Sequence, residues 1–187
     1  LVVAVAPGST SRRTLLKGFT GAALATLAGC GGSRPSLHRL APGERRSEIE
    51  LINGALDLEH EAIDAYTASI PLLGGRALTA AKHFLDQELA HAGELSGLIK
   101  ASGGKAVRPR AAYNLGQPHR PEDILHLLRD LEQRQLAYYL GVIPRLSLGP
   151  ARAAIASVFA NDAQHLMILV AELGGQTVPA AFVTGRQ

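Results

Sequence analysis

Four segments of this 187-residue chain repeat apolar residues at intervals of three and four, and each stripe is interrupted near its middle by one carboxylate. A period near 3.6 puts those residues on one face of an α-helix, and such a face must be buried against its neighbours. The first segment runs from about Glu44 to Ile70, ahead of Pro71, and the second from near Gly75 to Ser102, ahead of Gly103-Gly104. The third opens at Pro121, where proline suits a first helical turn and Glu122 and Asp123 face the helix dipole, and it reaches about Pro144. The fourth runs from Pro150 to Leu173, before Gly174-Gly175.

The links inside each pair of segments are short, so each pair predicts an antiparallel hairpin. Between the pairs, Gly103 to Arg120 is long enough at about 3.3 Å per extended residue to run the whole length of a bundle. The expected fold class is all-α, an antiparallel four-helix bundle over residues 46–173 with one long crossover between the second and third helices. Composition agrees: tryptophan is absent and aromatics are 4%, while alanine and leucine favour helices. The length suits one domain with a real core.

The stripes read Ile52, Ala55, Glu59, Ile63, Tyr66 in the first helix and Ala81, Phe84, Glu88, Ala92, Leu95 in the second. They continue as Leu125, Leu128, Glu132, Leu136, Tyr139 in the third and Ile155, Val158, Asp162, Leu166, Leu169 in the fourth. Glu88 and Asp162 are each followed three positions later by a histidine, His91 and His165, on the same face. Since all four acids lie near mid-helix, an antiparallel bundle brings them to one depth. The expected object is a buried layer of four carboxylates and two imidazoles. Tyr66 and Tyr139 stand seven residues after Glu59 and Glu132, as core packing or as hydrogen-bond or redox partners of that layer. Arg129, one turn before Glu132, is a candidate ion-pair partner for it. His60, Glu61, Asp64, His83 and Glu94 fall off the stripes and read as solvated faces; Tyr113 and Tyr138 read as surface packing, and His119 and His126 carry no spacing signal.

Burying four ionised carboxylates is costly unless they are paired, and they repel one another. Two divalent cations would compensate them, and a carboxylate-plus-histidine set suits iron or manganese, with zinc also compatible. Without metal, burial and repulsion should raise all four carboxyl pKa values. The motifs Glu88-Leu89-Ala90-His91 and Asp162-Ala163-Gln164-His165, with Glu59 and Glu132, resemble the ferritin-like di-metal carboxylate superfamily over about Glu44 to Leu173. That resemblance implies the one-crossover ferritin-like bundle. It also implies that Glu59 and His91 bind one metal, Glu132 and His165 the other, and Glu88 and Asp162 bridge them. Asp162 departs from the pattern, being one methylene shorter than the expected glutamate, which puts the second metal in doubt.

Ahead of the bundle, Arg12 and Arg13 in Ser11-Arg12-Arg13-Thr14-Leu15-Leu16-Lys17 resemble a twin-arginine export signal, followed by a weakly apolar run from Gly18 to Gly29 too short to span a bilayer. Leu27-Ala28-Gly29-Cys30 resembles a lipobox, with Cys30, the chain's one cysteine, as acceptor of diacylglycerol. Residues 1–29 read as signal peptide, 30–45 as flexible tether and 174–187 as C-terminal tail. The expected address is the extracytoplasmic face of a bacterial membrane, reached through the lipid anchor. Removing the signal takes three of 19 basic residues and none of 16 acidic ones, so the mature chain is neutral. Nucleic-acid binding, which needs a concentrated basic face, is not expected. Two functions of different class remain: a di-metal protein acting on dioxygen or peroxide, as ferroxidase, peroxidase or catalase-like enzyme, and a metal-free structural or interaction lipoprotein. A bundle that only carries metal is a third. The sequence names no protein partner.

Overall fold

In a computed structural model of the chain, the described residues are 40–147, 149–178, 181–182 and 184–185. The signal, Arg12, Arg13 and Cys30 lie outside them. Four helices follow in order: α1 (Pro42–Ser69), α2 (Gly75–Ala101), α3 (Pro121–Val142) and α4 (Gly149–Glu172), with no strand among the described residues. Helix α1 begins inside the stretch expected to be tether. Pro42 occupies its first turn, where a missing N–H costs nothing, and the Glu44 carboxylate accepts the Ala41 N–H at 3.3 Å.

Both hairpins close in the same way. Helix α1 passes into a 3-10 turn at Ile70–Leu72 and α3 into one at Ile143–Arg145, each with proline at its second position. Helices α1 and α2 pack together, as do α3 and α4, while α1 also packs on α3 and α2 on α4. The two hairpins are offset copies. Glu59 to Glu132, Tyr66 to Tyr139 and Pro71 to Pro144 are each 73 positions apart; Glu88 to Asp162 and His91 to His165 are 74.

The crossover runs beside α1. Asn53 clamps its start, donating to the Lys105 carbonyl at 3.1 Å and accepting from the Val107 N–H at 2.7 Å. Four residues along α1, Asp57 accepts from Nε and Nη2 of the Arg110 guanidinium, which also sits over the Tyr113 ring at 5.6 Å. The chain thus returns to the far end of the bundle before α3 starts. Tyr138 donates to the Leu51 carbonyl at 2.9 Å and lies against Gly54, where its Cζ is 2.7 Å from the position a Cβ would take. Gly54 is therefore a close approach of α1 and α3. At the other terminus Gly185, with φ +72°, packs on the Ala137 backbone, so the tail returns to α3.

Every stripe residue is buried as the period requires, except that Ala62 rather than Ile63 turns fully inward. Helix α4 is long and apolar enough to cross a membrane by composition, with mean hydropathy 1.3, yet it packs in the bundle and carries buried Asp162 and His165. The apolar core falls into two clusters. One gathers Ile52, Leu56, Leu95, Ile99, Tyr139, Val142 and Ile155; the other gathers Tyr66, Phe84, Ile124, Leu125, Leu128 and Leu169. Between them lies a polar layer.

Candidate metal centre

The layer contains Glu59, Glu88, Glu132 and Asp162, each 0% exposed, with His165 at 1%. His91 completes it. Its Nδ1 lies 3.4 Å from Glu59 Oε2, 3.4 Å from Asp162 Oδ1 and 3.9 Å from Glu88 Oε2. The His165 Nδ1 lies 3.1 Å from Glu88 Oε1, 3.3 Å from Glu132 Oε1 and 3.8 Å from Asp162 Oδ1. Two overlapping groups result: Glu59, Glu88, His91 and Asp162, and Glu88, Glu132, Asp162 and His165, with one ligand atom per residue within 4.8 Å of the others. Glu88 and Asp162 belong to both. The shorter side chain of Asp162 therefore does not withdraw it from either group.

Two tyrosines hold the outer glutamates. Tyr66 donates to Glu132 at 2.5 Å, and Tyr139 donates to Glu59. Each reaches across to the other hairpin rather than to the glutamate of its own helix. Burial first, then the neighbouring carboxylates, push both phenols well above their ordinary pKa, so they remain donors. Two glutamines add contacts that the stripe analysis did not assign. Gln135 Nε2 donates to Glu88 at 3.3 Å, and Gln87 Oε1 lies 2.6 Å from His165 Nε2. With the Gln87 oxygen accepting the Nε2–H, Nδ1 faces the carboxylates and is the nitrogen that a metal would take in place of its proton. Phe84 stacks on the same ring with centroids 4.0 Å apart. Arg129 is not part of the site: it pairs with Asp130 at 2.6 Å and leaves Glu132 to Tyr66.

The charges are strongly coupled. Burial and Glu88 push Glu59 up to about 8, burial and Glu88 push Glu132 up to about 7, and burial with the other three acids raises Asp162 well above its ordinary value. Glu88 corrects the expectation that all four rise. Burial alone would raise it, but His165, His91 and Glu59 outweigh burial and hold it below its ordinary value. The histidines gain correspondingly: burial opposes their charge, but Glu59 and Glu88 bring His91 to about 10, and Glu132 and Glu88 bring His165 to about 9. In the metal-free protein, protons supply the compensation.

The donor set nevertheless fits a metal. Glu59 Oε2, Glu88 Oε1, Glu132 Oε2, both Asp162 oxygens and the Nδ1 atoms of His91 and His165 are buried without a hydrogen-bond partner. Buried polar atoms are normally satisfied, so this many orphans converging in one layer marks a site for ions. The two halves differ in access. The His91 side chain is 13% exposed and borders a groove of about 570 Å³ between α2 and α4, with Glu94, Ser157, Val158, Asn161 and Gln164 among its lining. The His165 half is sealed.

A four-helix bundle with a buried carboxylate–histidine layer shared between two hairpins defines a class of carboxylate-bridged metal-binding folds. The ferritin-like domain family matches residues 47–174, and the chain belongs to that family. No curated protein matches the chain. Among solved structures it is similar to a conserved hypothetical protein from Mycobacterium tuberculosis, with 20% identity and a TM-score of 0.67 over 74% of this chain and 99% of that one. It is also similar to a ferritin-like, diiron-carboxylate protein from Bacillus anthracis, with 19% identity and a TM-score of 0.63 over 71% of this chain and 99% of that one. At these identities the likeness establishes the fold.

Proposed function

We propose that this chain is a membrane-tethered, extracytoplasmic ferritin-like protein that holds two divalent metal ions, iron or manganese, and turns over dioxygen or peroxide. The observation that carries the reading is the convergence of orphaned carboxylate and imidazole atoms into two groups sharing Glu88 and Asp162. Glu59 and His91 would complete one position, Glu132 and His165 the other. The diiron-carboxylate description of the Bacillus anthracis neighbour favours iron of the two. Bound there, the metals would supply redox equivalents and an open coordination position for the oxidant.

The chain's own residues set the conditions for that chemistry. Tyr139 and Tyr66 fix the outer carboxylates, Gln87 orients His165, and the apolar clusters above and below exclude bulk water. The groove beside His91 admits a small oxidant or an incoming cation. Tethering at Cys30 after twin-arginine export rests on the motifs of the leader, and export of an already folded chain suits a protein that acquires its metal beforehand.

Elemental analysis of the purified full chain, paired with ferrous-ion oxidation by dioxygen and by peroxide, tests the function. Bound metal with turnover lost in Glu88→Ala is the expected result. Metal without turnover would indicate a carrier, and absence of metal a structural lipoprotein.

A further inference from the structure

A second site lies on the outer face of the α1–α2 hairpin, away from the carboxylate layer. A pocket of about 530 Å³ opens between α1, α2 and the start of the crossover, and His60, Ser96, Lys100, Lys105 and Arg108 supply its polar lining. No carboxylate lines it. Several basic side chains elsewhere are compensated by an acid: Arg76 by Glu172, Arg110 by Asp57, Arg120 by Asp123 and Arg134 by Glu61. Among the described residues no carboxylate pairs with Lys100, Lys105 or Arg108. The expectation that His60 sits on a solvated face also fails. Its ring is half-buried, and its Nδ1 is shielded with no hydrogen-bond partner.

The backbone that carries these cations is fixed. Asn53 bonds to both Lys105 and Val107, so Lys105 and Arg108 project from a pinned strand-like segment, not a free loop. Lys100 comes from the last turn of α2 and Ser96 from one turn earlier. Three cations from two separate segments, a hydroxyl and an imidazole thus surround one concavity of a size suited to a small ligand. Three cations with no carboxylate among the lining give the concavity a positive field that attracts anions, and a phosphate group, with two negative charges and several acceptor oxygens, matches the donors present.

We propose that the pocket lined by His60, Ser96, Lys100, Lys105 and Arg108 binds a phosphate group. Two sources carry that chemistry: free phosphate or a soluble phosphate ester, and the headgroup of an anionic phospholipid. The second is within reach because Gly104 borders both this pocket and a neighbouring depression lined by Arg45 and Arg46, at the start of α1 where the chain arrives from its leader.

The full chain and a triple variant, Lys100→Gln with Lys105→Gln and Arg108→Gln, are compared in two arms, with Lys82→Gln as a remote control. The first arm titrates inorganic phosphate by calorimetry. The second sediments the protein with vesicles of equimolar phosphatidylglycerol and phosphatidylcholine, and with phosphatidylcholine alone. Since all the proteins share the same leader, its own affinity for lipid cancels. The wild type and Lys82→Gln should bind one or both phosphate probes, and the triple variant should bind about a hundredfold more weakly. Binding of inorganic phosphate alone identifies a soluble ligand. Binding of the anionic vesicles, competed by inorganic phosphate, identifies a headgroup. Equal binding by wild type and triple variant, or binding of neither probe by the wild type, overturns the proposal.

Discussion

Removing metal and raising pH should destabilise this bundle, and the size of the effect follows from the layer itself. Glu59 keeps its proton in the folded state up to about 8, whereas the unfolded chain releases it at its reference value of 4.5. Glu132 does the same up to about 7. Between those limits the folded state binds more protons than the unfolded one, so stability falls as pH rises. At about 1.4 kcal/mol per pH unit, the climb from the reference to about pH 7 costs ~3 kcal/mol for one such carboxyl. The pair is coupled through Glu88, so these two together contribute between about 3 and 6 kcal/mol, and Asp162, raised in the same sense, adds to the decline. His91 and His165, raised to about 10 and about 9, extend the decline above their reference of 6.5. Glu88 acts in the opposite sense: its depressed pKa contributes stability above 4.5 that is lost as pH falls below it. The metal-free protein should therefore melt about 10 °C lower near pH 7 than near pH 5. Metal displaces the protons, and a hundredfold excess over its dissociation constant should restore about 2.7 kcal/mol. Scanning calorimetry of the full chain after chelation, then with manganese or anaerobic ferrous ion, measures both terms. A metal-free Tm that is flat or rising over this interval would refute the protonated-layer argument.

Replacing Gln87 by Leu frees the His165 ring to turn and should weaken metal binding roughly 10–100-fold in a metal titration while leaving helix content intact. Gly54→Ala drives a methyl group into the Tyr138 ring and breaks its bond to the Leu51 carbonyl, so chemical denaturation should show a loss of about 1–3 kcal/mol. Cys30→Ala should shift the protein from the membrane to the soluble fraction, and Arg12→Lys with Arg13→Lys should stop its export, both read by fractionation. Normally processed, membrane-bound Cys30→Ala protein would contradict the anchor.

The acid at the centre of each stripe was legible because burial of a carboxylate violates the apolar pattern in a way that only a partner can satisfy. Asp162 and Glu88 could be matched to His165 and His91 because three positions along a helix is one face. The tyrosines were legible as possible hydrogen-bond partners of the layer, but not the glutamate that each one meets. Seven positions along a helix is about 10.5 Å, too far for Tyr66 to reach Glu59, and only the packing of α1 on α3 reveals that Glu132 is its acceptor. Gln135 did leave a signal: it stands three residues after Glu132, in the slot that histidine fills after Glu88 and Asp162. Gln87, one residue before Glu88, has no periodic mark, and its role depends on how α2 meets α4. Helix α1 begins two residues ahead of the expected start at about Glu44, because proline is welcome in a first turn.

The offset repeat of the two hairpins makes one difference between them consequential. Phe84 stacks on His165, and the residue 74 positions later, Val158, supplies no ring against His91. Among the described residues the layer meets solvent beside His91, whereas His165 is buried. That asymmetry imposes an order of filling. If the layer holds two ions, the one beside His165 would have to enter and leave past the position beside His91, so it would be the first to settle and the last to leave. Such a pair of ions would behave as a stack, last in and first out, with rapid exchange expected at the half that meets solvent.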